Sequence, residues 1–192
     1  LRDGEREQTV CEVSEIRLRG AHNVLNVLAA CALTGAVGIK PAAMREAIKN
    51  FNGVAHRLEF VREVNGAKWY NDSMASAPER VMAAIHSFDE PLIILLGGRD
   101  KKLPWNELLG LARDRVKKLI IFGEAGELIA QYAEQENVRV TRCAKMLEAI
   151  NEAARITNKG DVVLLSPGCT SFDEFKDFEE RGKFFREIVE KL

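Results

Sequence analysis

The 192 residues suit one large domain, or one ordinary domain with part of another, and 46% hydrophobic residues is enough for a sizeable core. With 28 Lys+Arg against 29 Asp+Glu the formal net charge is -1, so composition gives no reason to expect nucleic acid or an anionic membrane as partner. The longest apolar runs, such as Pro91 to Leu96, are too short to span a bilayer, and Leu1 to Gly20 is charged, unlike a secretory signal.

A cytoplasmic protein is the expectation from those features. Cys11, Cys31, Cys143 and Cys169 are scattered without C-x-x-C spacing, which favours free thiols over a disulfide framework or a zinc site. The sequence opens on Leu1 rather than Met, and Thr9 to Leu18 alternates weakly, like a strand whose partners are not nearby. Together these read as a piece cut from a longer chain. Ala21 to Ala36 follows as a helix with Val24, Leu28, Cys31 and Ala32 on one face, and a second helix, Pro41 to Lys49, opens with proline at a favoured first-turn position. Phe51 to Ala55 has the composition of a linker, so a boundary is placed there.

Leu58 to Val64 and Ala67 to Asn71 are β-rich runs separated by Asn65-Gly66, the dipeptide that most readily takes the two positive φ angles of a type I′ turn. A hairpin is predicted. Beyond it the apolar period alternates: helix 78–88, strand 92–96, helix 105–116, strand 118–122, helix 124–134, short strand 138–140, helix 145–156, strand 161–165, and a long amphipathic helix after Ser171 running to Lys191. This is an α/β pattern, a mainly parallel sheet with helices on both faces. Right-handed crossovers align the carboxyl ends of parallel strands, so the loops at Gly97 and Ser166 should share one edge with Asn71-Asp72-Ser73.

That edge carries donors for an anion: the Lys101 ammonium, the Ser171 hydroxyl, and backbone N–H groups where the last helix begins. Each has a plainer reading, Lys101 as a solvated loop lysine and Ser171 as an N-cap for the helix carrying Asp173 and Glu174. Asp72 can accept from a ribose or pair with an arginine, and Arg57 is a candidate partner for the ligand or for Asp72. Cys169 follows Gly168 near the same helix start, where a thiol could be activated, but no His lies nearby in sequence. Nothing matches G-x-x-x-x-G-K-[ST], and no G-x-G-x-x-G follows a strand, so no phosphate-cradling loop for ATP or NAD is recognisable.

The order G-A-H-N-V-L-N (Gly20 to Asn26), F-N-G-V-A-H-R-L-E (Phe51 to Glu59), W-Y-N-D-S (Trp69 to Ser73), L-L-G-G-R-D-K (Leu95 to Lys101) and L-L-S-P-G-C-T-S-F-D-E-F-K-D-F-E-E-R-G (Leu164 to Gly182) resembles the Mur ligases. N-D-S with S-P-G-C-T-S-F-D-E-F points to their D-glutamate-adding members. The resemblance implies a Rossmann-like C-terminal domain at 54–192, preceded at 1–53 by a helical remnant of the central ATPase domain, whose phosphate loop would lie upstream. It implies an ATP-dependent ligation of D-glutamate to UDP-N-acetylmuramoyl-L-alanine through an acyl phosphate, by a monomer using Mg2+, with ATP and Mg2+ held mainly by the missing part. Asn23, Asn26, Arg57 and Asp72 resemble the family's nucleotide contacts. Lys101, Ser171 and Phe178 resemble the groups that hold D-glutamate, with Ser76 where threonine is usual. No metal ligand and no catalytic residue is implied within these residues. One departure stands out: the position after N-D-S, commonly Lys in the family, is Met74, which leaves Arg80 or Arg99 to replace the charge.

Overall fold

The computed structural model describes residues 2–3 and 6–192, which form two compact units meeting in sequence at Gly53 and Val54. The expectation for the charged opening stretch falls partly on residues 1, 4 and 5, which lie outside the described residues.

The first unit holds a two-residue antiparallel pair, β1 (Arg2–Asp3) with β2 (Arg6–Glu7), and two helices, α1 (Ala21–Ala36) and α2 (Pro41–Asn50). The strand expected over Thr9 to Leu18 is not there; a single 3-10 turn at Val13–Glu15 takes its place. The reason is local competition. Glu12 and Glu15 cap each other's backbone, with the Glu12 N–H donating to Glu15 Oε2 at 3.0 Å, and this satisfies polar groups that a strand would have to pair with a neighbour. Hydrogen bonds from Arg45, the Glu12 backbone and Lys49 hold the Glu15 carboxyl well below its usual range. Helix α1 has the predicted bounds, yet none of its residues is buried, and Leu33 is 73% exposed. Its expected face borders an open cleft of about 930 Å³ lined by Val24, Leu28, Cys31 and Ala32.

The second unit begins with the predicted hairpin, β3 (Glu59–Val64) and β4 (Ala67–Asn71), joined by Asn65 at φ 52° and Gly66 at φ 81°. Its register slips between Phe60 and Arg62, a bulge in the outer strand. Then come α3 (Pro78–Ile85), β5 (Leu92–Gly97), α4 (Asn106–Arg115), β6 (Val116–Phe122), α5 (Gly126–Gln135), β7 (Val140–Arg142), α6 (Met146–Ile156), β8 (Val162–Gly168) and α7 (Phe178–Val189). The sheet order is β3-β4-β8-β5-β6-β7, parallel throughout except for the β3–β4 pair. This is the α/β architecture expected, with β7 two residues later than predicted.

The core follows from the two-residue period of the strands. On one face Ile94, Leu96, Leu119, Ile121 and Leu164 pack under Val81, Ile85, Leu108, Leu109 and Ile129 of α3, α4 and α5. On the other, Trp69, Ile93, Leu95, Ile120 and Phe122 meet Ile150 of α6 and Phe185 of α7. Both faces being covered, β5 and the Val162 to Leu165 part of β8 read as unbroken apolar runs.

The last helix starts later than the sequence suggests. Ser171 to Phe175 makes one isolated turn, with Glu174 and Phe175 N–H both donating to Ser171 O (3.2 and 2.8 Å), and α7 begins only at Phe178. Its N-cap is Asp177, whose carboxylate accepts from Glu180 N–H at 2.8 Å, not Ser171. The acids that looked like first-turn residues cap other elements: Asp173 Oδ2 accepts from Glu124 N–H (3.1 Å) and Glu174 Oε1 from Met146 N–H at the start of α6 (3.2 Å).

Gly98 sits at φ +126°, and a Cβ there would lie 2.1 Å from Thr170 O. Backbone cannot step aside as a side chain can, so Gly98→Ala is expected to cost about 1–2 kcal/mol in denaturant unfolding. An unchanged midpoint would mean that the strand ends separate more easily than this contact implies.

Candidate functional site

The parallel order brings the carboxyl ends of β4, β8 and β5 to one edge, so residues 71–76, 166–171 and 97–102 lie side by side as expected. The chain leaves β5 for α4 on one face and β8 for α7 on the other, which opens a crevice between these two strand ends, where open α/β sheets commonly bind ligands. Here backbone fills it. Arg99 N–H donates to Thr170 O and Thr170 N–H to Arg99 O, both at 3.0 Å, and Thr170 Oγ1 adds a bond to Arg99 O at 2.9 Å. The polar side chains therefore fall on two flanks of a closed seam.

On the first flank Asp72 is 5% exposed. Its Oδ1 accepts from Leu58 N–H (3.1 Å) and its Oδ2 from the Ser166 hydroxyl (2.9 Å). Burial pushes its carboxyl up to about 6, outweighing these hydrogen bonds and the fields of Arg57 and Arg80. The pairing suggested between Asp72 and Arg57 is not formed; Arg57 is exposed and makes no ion pair among the described residues. Leu58 reaches Asp72 through a loop in which His56 and Leu58 both take positive φ, 63° and 44°. Asn71 holds that loop: its Nδ2 lies 3.0 Å from His56 Nδ1, 3.2 Å from Glu59 Oε2 and 3.1 Å from Gly182 O. Glu59 in turn pairs with Arg186 of α7. Burial pushes the His56 imidazole down, opposed by the Glu59 carboxylate.

On the second flank the Lys101 ammonium donates to Ser76 Oγ at 2.9 Å. Neighbouring Asp100 is turned inward, accepting from Lys102 N–H (2.7 Å) and Trp105 Nε1 (3.2 Å). Ser171 is buried, and Phe178 is half-buried with its ring edge-on to His56 at 6.3 Å. The last helix does not begin beside Ser171: the N–H groups of Glu174 and Phe175 bond to Ser171 O in an isolated turn, and α7 starts at Phe178. Cys169 is fully buried and its thiol is pushed up to about 12 by burial, which leaves no thiolate for chemistry.

Arg181 links the two flanks, and sequence reasoning alone misses it. It is 1% exposed; Nε donates to Ser73 Oγ (3.0 Å), Nη2 to Ser73 O (2.8 Å) and Nη1 to Cys169 O (3.1 Å). Ser73 Oγ passes the connection on to Phe178 O at 2.7 Å. All three acceptors are neutral, and burial pushes the guanidinium down to about 10. A signal is present: Arg181 lies three residues after Phe178 and four before Phe185, on the apolar stripe of α7.

In the first unit Asn23 and Asn26 share one side of α1, Asn26 Nδ2 donating to Asn23 Oδ1 at 3.1 Å and Asn23 Nδ2 to Arg19 O at 2.7 Å. Among the described residues no group of three or more His, Cys, Asp and Glu side chains is placed to hold a metal ion, and no helix is long and apolar enough to cross a membrane.

Residues 56–169 match the family model described as "Mur ligase, glutamate ligase domain". The chain is 49% identical over 187 residues to the UDP-N-acetylmuramoylalanine–D-glutamate ligase of Syntrophus aciditrophicus, covering 97% of this chain and 41% of that protein. It is 44% identical over 190 residues to the protein of the same name from Clostridium kluyveri, covering 95% and 41%. The chain thus spans about 41% of the length of these curated relatives. Among solved structures, the bifunctional folylpolyglutamate synthase/dihydrofolate synthase of Yersinia pestis superposes with a TM-score of 0.69 at 16% identity, over 98% of this chain and 43% of that one, a likeness of fold.

Proposed function

Because the chain belongs to the Mur ligase family through its glutamate ligase domain, we propose that it is the C-terminal part of an ATP-dependent ligase that adds D-glutamate to UDP-N-acetylmuramoyl-L-alanine in peptidoglycan precursor synthesis. Val54–Leu192 is the glutamate-binding domain in this reading, and residues 1–53 are the end of the central ATP-binding domain. The protein is cytoplasmic and monomeric. ATP supplies the phosphoryl group that activates the acceptor's carboxylate. The acceptor site, the phosphate loop and the Mg2+ ligands are assigned to the upstream part of the complete protein.

What this chain contributes is positioning and charge. The observation that carries the reading is the Lys101–Ser76 contact. The ammonium meets a hydroxyl instead of a carboxylate, so two of its three N–H bonds remain for an incoming D-glutamate carboxylate. Ser171 and Phe178 border the same edge and complete the proposed amino-acid site. Arg57, a cation with no ion pair among the described residues, and Asp72, an acceptor for hydroxyls, suit the nucleotide; separately, in the first unit, the amides of Asn23 and Asn26 are of a kind that suits its base.

The test is steady-state kinetics on the complete protein. Lys101→Ala or Ser171→Ala should raise the KM for D-glutamate roughly tenfold or more, the worth of a hydrogen bond to a charged group, and leave the KM for ATP nearly unchanged. If both variants keep the wild-type KM and kcat for D-glutamate, the amino-acid site is not on this edge.

A further inference from the structure

Three polar groups of His56 are taken by three segments of the second unit. Its N–H donates to Glu59 Oε2 at 2.8 Å, its carbonyl accepts from Met74 N–H at 3.0 Å, and its Nδ1 meets Asn71 Nδ2 at 3.0 Å. The Asn71 amide is oriented by its surroundings: Oδ1 accepts from Ser73 N–H (3.2 Å), and Gly182 O, which can only accept, lies 3.1 Å from Nδ2. An NH2 group therefore faces the ring, so Nδ1 is the acceptor and the neutral imidazole carries its proton on Nε2. Gly182 makes room for this contact. A Cβ there would lie 2.1 Å from His56 Nδ1, which accounts for a glycine inside α7, where helical backbone asks for none.

The residue so fastened opens a loop that the chain does not adopt readily. His56 and Leu58 both lie in the left-handed region, at φ 63° and 44°, a conformation that bulky L side chains rarely hold. Arg57 sits between them, and Leu58 N–H donates to Asp72 Oδ1 at 3.1 Å. The loop thus sets both the direction in which Arg57 leaves the backbone and the partner of one Asp72 oxygen. Unfastened, residues 56 and 58 are free to relax to negative φ, which withdraws the Leu58 N–H from Asp72 and redirects Arg57. Protonation unfastens the ring, because a proton on Nδ1 would face the Asn71 NH2 group. The Glu59 carboxylate is 3.8 Å from Nδ1, and its Oε2 already accepts from the His56 N–H. The charges around the ring oppose one another: Glu59 of β3 and Glu179 of α7 favour the proton, Arg186 and Lys183 of α7 resist it, and burial tips the balance against it. The contact from β4 is the uncharged Asn71. With the folded imidazole held below its ordinary 6.5, the fastening is complete above that value and is lost as pH falls through the lower folded one.

We propose that His56 is a positioning residue of the ligase: as a neutral imidazole accepting from Asn71 it locks the 56–58 loop in its left-handed form, and so holds Arg57 and Asp72 ready for the nucleotide. The inference rests on the ligase reading given above, which assigns those two residues to the nucleotide. Its test uses the complete protein, with ADP binding by calorimetry and, without ligand, amide hydrogen exchange at Leu58, both at pH 8 and pH 5. His56→Asn is the conservative variant, since its Oδ1 can stand where Nδ1 stood, asparagine tolerates positive φ, and it does not titrate. At pH 8 His56→Ala should weaken ADP binding about tenfold and speed Leu58 exchange by a similar factor, and His56→Asn should restore both to within about threefold of the parent. Between pH 8 and pH 5 the parent should lose about fivefold more ADP affinity than His56→Asn, and its Leu58 exchange should overtake that of the variant. Asp72 and the phosphates of ADP titrate in both proteins, so the difference belongs to His56. The proposal is overturned if His56→Ala leaves Leu58 exchange within about twofold of the parent, or if the parent and His56→Asn follow the same course with pH. Asp72→Ala separates the two levels. Should it weaken ADP binding while His56→Ala does not, the ligase reading stands and this inference alone fails; should neither Asp72→Ala nor Arg57→Ala weaken it, the nucleotide assignment fails and takes this inference with it.

Discussion

Arg181→Ala is expected to cost the Val54–Leu192 unit about 3–5 kcal/mol in denaturant unfolding, the largest loss expected for any single substitution along this edge. The guanidinium is buried and satisfies Ser73 O and Cys169 O, which lie on two different loops. Truncation leaves both carbonyls buried without a partner and opens a void where the side chain was. Two further variants separate the causes. Arg181→Lys keeps a charge but cannot reach three acceptors at once, so most of the loss should remain. Arg181→Met fills the space and removes a charge that burial already disfavours, so it should lose less than alanine. A loss below about 1 kcal/mol for alanine would show that water enters and replaces the donors.

Asp72→Asn should act in the opposite sense on stability while harming function. The folded carboxyl titrates near 6 against an ordinary value of 3.8, so the folded state holds the proton more tightly than the unfolded one. This group's favourable contribution is complete below the unfolded value and is lost as pH rises through about 6, a decline of about 3 kcal/mol. The amide carries no charge and escapes that decline. At pH 8 Asp72→Asn should be more stable than the parent by about 1–3 kcal/mol, and at pH 4 the gain should vanish. ATP use in the complete protein should weaken. A variant less stable than the parent at pH 8 would mean that the Ser166 and Leu58 hydrogen bonds outweigh the burial of the charge.

The parts of the fold that are readable from sequence are those set by neighbours along the chain. Asn65-Gly66 specifies its turn because only a few residues tolerate two consecutive positive φ angles. Leu92 to Leu96 reads as a buried strand because no polar residue interrupts it. The start of α7 misleads for the converse reason. Asp173 and Glu174 look like first-turn acids, but Asp173 is engaged by Glu124, 49 residues away, and nothing local announces such a bond. The same limit hides Arg181, since an arginine in a run of charged residues looks solvated until its acceptors are known. For the candidate site, the meeting of Lys101 with Ser76 follows from parallel topology, whereas the closing of the crevice by Arg99 and Thr170 depends on glycine backbones that no pattern in the sequence marks.

The bulge between Phe60 and Arg62 also governs how the sheet ends. An outermost strand displays unpaired N–H and C=O groups in a row, and a straight row is a template on which another chain can grow a cross-β assembly. In β3 the bulge breaks that row and twists it, Arg62 is tied by its Nη1 to Glu190 O at 2.7 Å, and the exposed Phe60 ring is turned against Tyr70 at 5.4 Å. At the far margin β7 is only three residues long. Neither border gives a neighbouring molecule a flat ledge to extend, so at high concentration this α/β unit is protected against stacking into fibrils through its sheet.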